Sequence, residues 1–267
     1  MSGTHVVVHP SGQLLAEAAA ARLLARLADV QAARGVASLV LAGGGVVIQS
    51  LAAMKASPAR DAVDWSRVDV WWSDERFLVS GDPQRNETQA RRALLDAVAL
   101  NPDRIHPMPA AVSSMPDAEG TLGTAPHNSS ADDGAAAYRD ELARQATPGK
   151  QLPQFDVLLL GVGPEGHTAS IFPESPAVHE QRPVVAVHRC PKPPPTRITM
   201  TLPTICSAEE VWLLAVGEPK AAAIGMALSG AGEAQIPAAG ARGQLRTLWL
   251  LDRAAAAEVP AQLRTPW

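Results

Sequence analysis

At 267 residues, 46% of them apolar, and with a net charge of −4, the chain is long enough to bury a large core without disulfide staples. That charge gives no reason to expect nucleic-acid or membrane partners, so any phosphate site must be a local patch. Cys190 and Cys206 have no His or Cys at metal-ligand spacing, no run approaches the ~18 apolar residues of a membrane span, and the start is too short for a signal peptide. A cytoplasmic protein with reduced thiols and no metal is expected.

Val6 to Val8 reads as a short strand, and Pro10-Ser-Gly leads into a helix from about Gln13 to Arg34. There Leu14, Leu15, Ala18, Leu23, Leu24 and Leu27 recur at helical spacing until Gly35 ends it. Ala37 to Leu41 is the next strand, and Ala42-Gly43-Gly44-Gly45 opens a helix through Met54. A strand, a glycine run and a helix in that order make an anion cradle, because freed amides and the helix N-terminus point at a negative group. The same glycines also suit a plain tight turn, and their spacing fits neither a P-loop nor a dinucleotide fingerprint.

The segment from Val68 to Phe77 reads as a strand ending in Asp74, Glu75 and Arg76. Such a triplet is commonly a solvated loop, yet Arg76 offers the fork geometry that phosphate recognition favours. Gly81 to Asn86 is a loop, and Glu87 to Leu100 an amphipathic helix for which Asn86 is the expected N-cap. Residues 111–134, rich in Ser, Ala, Gly and Asp, read as a mobile surface loop rather than a linker, because strand and helix alternation resumes with a helix from Ala135 to Gln145.

Phe155 to Leu160 is an almost uninterrupted apolar run, as in a strand buried on both faces. Gly161, Gly163 and Gly166 then deliver His167 to the strand's carboxyl end, with Thr-Ala-Ser as the first turn of a short helix. A histidine there is either a capping or loop residue or a general base. After a strand from Val184 to Val187, Cys190 to Pro195 must be irregular, most simply a rigid connector. Arg197 to Leu202 alternates like a strand with one wet face, which carries Arg197 either to a substrate or to a surface carboxylate.

Val211 to Val216 is another buried strand, and Gly217-Glu-Pro-Lys220 opens a helix through Leu228. Lys220 in a first turn opposes the helix dipole, which a bound anion would explain. Arg246 to Leu251 is the last strand, with Asp252 capping an Ala-rich helix. The alternation predicts one doubly wound α/β domain over residues 1–267, with a mostly parallel sheet and helices on both faces.

Several separated pieces also resemble one family. They are Leu41-Ala-Gly-Gly-Gly45, Trp72-Ser-Asp-Glu-Arg76 with Asn86, Gly161-Val-Gly-Pro-Glu-Gly-His-Thr-Ala-Ser-Ile-Phe-Pro173, Arg197-Ile-Thr with Pro203, and Gly217-Glu-Pro-Lys220. Together they look like a 6-phosphogluconolactonase over nearly the full length. The resemblance implies a fold shared with glucosamine-6-phosphate deaminases and, more distantly, ribose-5-phosphate isomerases. It further implies hydrolysis of 6-phospho-D-glucono-1,5-lactone in the oxidative pentose phosphate pathway; a monomer is expected, and an activated lactone ester needs no cofactor.

Carried over by position, His167 is the expected catalytic residue, with Asp74 or Glu165 as its orienting carboxylate. Gly43, Gly44, Gly45, Arg76, Asn86, Arg197 and Lys220 are the expected substrate-binding set. Two departures from the family pattern stand out: Val46 and Val47 follow the glycines where Ser or Thr and Pro are usual, and Glu165 stands where Asp is usual. The rival on the same fold, an amino-sugar-phosphate deaminase or isomerase, looks to an Asn-Glu-Pro sequence where this chain has Ile171-Phe-Pro-Glu174. A second rival, a non-catalytic sugar-phosphate sensor, carries a helix-turn-helix segment ahead of the domain, whereas here a strand is expected from His5.

Overall fold

A computed structural model describes residues 3–112 and 130–265. In chain order the elements are β1 (Gly3–His9), α1 (Gly12–Arg34), β2 (Ala37–Leu41), α2 (Gly45–Ala56), β3 (Val68–Trp72), β4 (Asp74–Arg76), α3 (Asn86–Ala93), β5 (Ile105–His106) and α4 (Ala131–Arg144). They continue as β6 (Val157–Gly161), β7 (Val184–Val187), β8 (Arg197–Met200), α5 (Leu202–Ile205), β9 (Glu210–Ala215), α6 (Ala221–Leu228), α7 (Pro237–Gly240), β10 (Arg246–Asp252) and β11 (Arg264–Thr265).

The main sheet runs β11-β1-β10-β9-β6-β2-β3-β5, and every pairing in it is parallel. Its central strands β2 and β9 are buried along their whole length, which is why they read as continuous apolar runs. Each fully buried Leu or Val there contributes roughly 1.5–3 kcal/mol. The connections from β1 to β2, β2 to β3 and β3 to β5 step toward one edge of the sheet and carry α1, α2 and α3. Those from β5 to β6 and from β9 to β10 step back and carry α4 and α6. Since parallel crossovers are right-handed, the two groups of helices fall on opposite faces. Neighbouring strands β2 and β6 lead off in opposite directions, so a crevice opens between the segments that follow them.

A second, three-stranded antiparallel sheet, β4-β8-β7, lies outside the predicted pattern. It turns the charged triplet into a strand, not a solvated loop, and sets Arg76 opposite Arg197 on one rung. Strand β8 has no wet face: all four of its residues are buried, because β4 and β7 flank it and α4 packs against it.

Several expected boundaries are corrected. Helix α3 ends at Ala93, not Leu100, where Leu94 leaves helical geometry at φ −147°. Asn86 is not the N-cap; Arg85 holds that position, and the Asn86 side chain is spent on Asp74. Helix α4 begins at Ala131, inside the stretch expected to be loop, because Ser130 and Asp133 form a capping box. The remainder of that expected loop, residues 113–129, lies outside the described residues. No helix follows His167; Thr168 and Ile171 form an isolated bridge across a tight turn, with Ala169 at φ 48°. The Ala-rich stretch after Asp252 is a series of turns, not a helix, although the Asp252 carboxylate does accept from the Ala255 N–H.

Candidate active site

A cavity of about 220 Å³ opens at the carboxyl ends of β2 and β6. It is bordered by Gly43, Gly44 and Gly45 after β2, by Asp74 and Arg76 from β4, by Asn86 at the start of α3, by Gly163 and His167 after β6, and by Arg197 and Lys220. Lys192, from the proline segment before β8, completes the lining. Four cations, Arg76, Lys192, Arg197 and Lys220, thus meet Asp74 at one opening of an acidic protein. Like charges directly opposite on paired strands are destabilising, so the Arg76 and Arg197 rung favours an anion between or beside them.

The glycines are explained by close approach. A Cβ at Gly43 would collide with the Asn86 carboxamide, and one at Gly163 would overlap the His167 ring at Nδ1 and Cε1. Gly44 sits at φ 108° with open space beside it, as does Gly45, so the start of α2 faces the cavity with bare backbone. This is the geometry by which a helix N-terminus receives an anion, without a hydroxyl from Val46 or Val47.

Behind Arg76 and Asn86, the Glu75 carboxylate accepts the backbone N–H groups of Arg76 (2.8 Å), Asn86 (2.7 Å) and Glu87 (2.9 Å). It lies 3.6 Å from the guanidinium of Arg85, which is itself buried and donates to the carbonyls of Leu78 and Met108. Burial pushes the Glu75 carboxyl up to about 7, while Arg85 and the three N–H donors pull it down. Asn86 Nδ2 donates to the Asp74 backbone carbonyl at 2.8 Å. Arg76 spends Nη1 on the Gln84 carbonyl at 2.6 Å, while its buried Nε has no hydrogen-bond partner among the described residues.

After β6, the His167 ring stacks on Phe172, centroids 4.5 Å apart, and lies over Gly163. Its Nδ1 is 3.2 Å from Glu165 Oε1, an ion-pairing distance that is off line for a hydrogen bond. Burial holds the imidazole below its ordinary value; Glu165 and, more weakly, Asp74 raise it, and Lys192 lowers it. The ring therefore holds a second proton less readily than a free imidazole. Burial raises the Glu165 carboxyl, but a hydrogen bond from Lys192 Nζ at 2.9 Å helps reverse this, and the net shift is downward. Asp74 points elsewhere: its carboxylate takes the Ser170 hydroxyl at 2.7 Å and Asn86 Nδ2 at 3.2 Å. Glu165 is thus the carboxylate in contact with His167.

Arg197 is buried and donates to the carbonyls of Lys192 (3.1 Å), Pro193 (3.2 Å) and Pro194 (3.1 Å), so it moors the proline segment as it borders the cavity. Lys220 precedes α6; burial lowers its ammonium, Asp252 offsets this, and Lys192 adds to the lowering. All ten residues expected from the sequence gather here, nine on the lining and Glu165 against His167. Lys192, Glu75 and Arg85 had not been singled out. The sole signal for Lys192 was a cation within a proline run, and for the buried pair an Arg lying ten residues beyond the charged triplet's Glu.

A doubly wound α/β sheet with a cationic crevice at its topological switch defines a class of anion-binding α/β proteins, and the comparisons narrow it. The family model for glucosamine-6-phosphate isomerases/6-phosphogluconolactonase matches residues 10–249, and the chain belongs to that family. A 6-phosphogluconolactonase from Streptomyces coelicolor is 56% identical over 270 residues, covering 100% of this chain and 99% of the relative. One from Mycobacterium tuberculosis is 47% identical, covering 96% and 98%. Among solved structures, the 6-phosphogluconolactonase of Trypanosoma brucei superposes with a TM-score of 0.78 at 25% identity, covering 97% of this chain and 100% of that one. A monomeric glucosamine-6-phosphate deaminase superposes at 0.73 with 19% identity, a likeness of fold alone.

Proposed function

We propose that this chain hydrolyses 6-phospho-D-glucono-1,5-lactone to 6-phospho-D-gluconate, the hydrolytic step of the oxidative pentose phosphate pathway, as a cytoplasmic monomer. The observation that carries this reading is a single cavity bordered both by the His167 imidazole and by four cationic side chains. Full-length identity to the lactonase of Streptomyces coelicolor supports the choice of substrate.

The lactone carbonyl is already activated, so one base and one source of charge stabilisation suffice. Nδ1 of His167 is buried toward Glu165 and Gly163, which leaves the Nε2 edge for chemistry. Nε2 takes a proton from water as the water oxygen bonds to C1. The tetrahedral oxyanion then collapses, the bond between C1 and the ring oxygen breaks, and the same proton passes to that oxygen. Phosphate held by Arg76, Lys220 and the amides after β2 fixes C1 against the base, converting remote binding into orientation.

The test couples added lactone to 6-phosphogluconate dehydrogenase and subtracts spontaneous hydrolysis. His167→Ala should lower kcat by about 10²- to 10⁴-fold with little change in KM. Near-normal turnover in that variant, or ammonia release from glucosamine 6-phosphate by the unmodified chain, would overturn the reading.

A further inference from the structure

The two oxygens of Glu165 are divided between two partners. Oε1 lies 3.2 Å from His167 Nδ1, and Oε2 accepts a hydrogen bond from Lys192 Nζ at 2.9 Å. Lys192 reaches this position from a segment in which Pro191, Pro193, Pro194 and Pro195 restrict the backbone, and whose carbonyls are gathered on the buried guanidinium of Arg197. Its own backbone carbonyl is one of those bound at 3.1 Å. The lysine is therefore mounted on a stiff support, although its side chain is 42% exposed.

We infer that Lys192 is a positioning residue for the proposed base: its ammonium fixes one oxygen of Glu165 so that the other faces Nδ1 of His167, and its charge cancels the carboxylate's attraction for a second ring proton. An unpaired carboxylate 3.2 Å from the imidazole would favour the doubly protonated ring, which cannot accept a proton from water. With the ammonium in place, Glu165 orients the ring without converting it to imidazolium. The other charge acting on the ring is Asp74 from β4, which favours protonation; Arg76, Arg197 and Lys220 line the same cavity. Phe172, stacked on the ring, carries no charge but lies 5.9 Å from the Arg197 guanidinium.

This inference rests on the proposed role of His167, and the experiment separates the two. The His167 ring proton is followed by NMR through a pH titration and assigned by its loss in His167→Gln, in the unmodified chain and in Lys192→Gln, Glu165→Gln and the double variant. Lys192→Gln should raise the titration midpoint by about half to one pH unit, less than a buried pair would give because the lysine is partly exposed. Glu165→Gln should lower it, and the double variant should fall between the two, because the ammonium and the carboxylate act on the ring with opposite sign. The acid limb of kcat/KM should follow each shift, and Lys192→Arg should restore the original midpoint. Loss of a half-exposed ion pair costs at most about 1 kcal/mol, so Lys192→Gln should stay folded. A midpoint unchanged or lowered in Lys192→Gln, or a double variant that matches it, sinks the inference. Midpoints that move while the acid limb stays still would instead discredit His167 as the base and leave the electrostatic role of Lys192 intact.

Discussion

Two glutamates serve the two ends of the cavity in opposite ways. Glu75 is fully buried and saturated, with three backbone N–H donors and a guanidinium that is itself buried. Glu165 is one-third exposed and holds its imidazole and its ammonium by one contact each. The end that carries Arg76 and Asn86 is thus locked by the interior of the protein, whereas the end that carries His167 depends on a thin chain of charges. A phosphate site gains from being preformed, since ordering costs are then met on folding. A base gains from a balance of nearby charges that keeps its protonation state near the working pH.

Beyond loss of the imidazole itself, the largest effect that would test this contrast comes from Gly163→Ala. The added methyl must displace the His167 ring, and a shift of about 1 Å in a reacting group costs on the order of 10²-fold in kcat, with KM nearly unchanged. A fall in binding instead would mean that the two ends are not separable. Arg76→Ala should act at the opposite end, raising KM by roughly 10- to 100-fold, the worth of a hydrogen bond to a charged group, with a smaller effect on kcat. Steady-state kinetics on phosphorylated and unphosphorylated lactone would show it, and equal preference for both in the unmodified chain would discredit the phosphate clamp.

Stability separates the glutamates further. At pH 8, above the Glu75 titration, Glu75→Gln leaves Arg85 with Glu87, 3.3 Å away, as its remaining carboxylate, and weakens three charge-assisted backbone hydrogen bonds; it should cost about 2 kcal/mol by urea denaturation. Glu165→Gln should cost at most about 1 kcal/mol. Similar losses in the two variants would break the comparison. The smallest expected effect is on pH: because burial holds His167 below the ordinary imidazole value, the acid limb of activity should lie below that of a free imidazole, activity being lost as pH falls through it.

The main sheet was legible because strands buried on both faces, such as Ala37 to Leu41 and Val157 to Gly161, leave unbroken apolar runs, and because glycines cluster where chain and ligand approach closely. The side sheet was not. Its strands are three or four residues long, β4 and β8 are over a hundred residues apart, and the polar positions of β8 that suggested solvent are buried between strands and a helix. The exposed reading of Glu75 failed for the same reason, since its partners lie in backbone amides ten and more residues away. Lys192, a cation within a proline run, was passed over because such runs read as connectors, and its contact with Glu165 spans 27 residues.

The rung shared by Arg76 and Arg197 bears on how this site can be altered. One guanidinium borders the cavity where substrate is proposed to sit, and its neighbour ties down the segment bearing Lys192, so β8 acts as a fixed ruler between binding and reaction. On the proposed roles, changes confined to residues 190–195 should shift the titration of His167 and leave the proposed phosphate contacts in place. A change in the register of β8 would move both together.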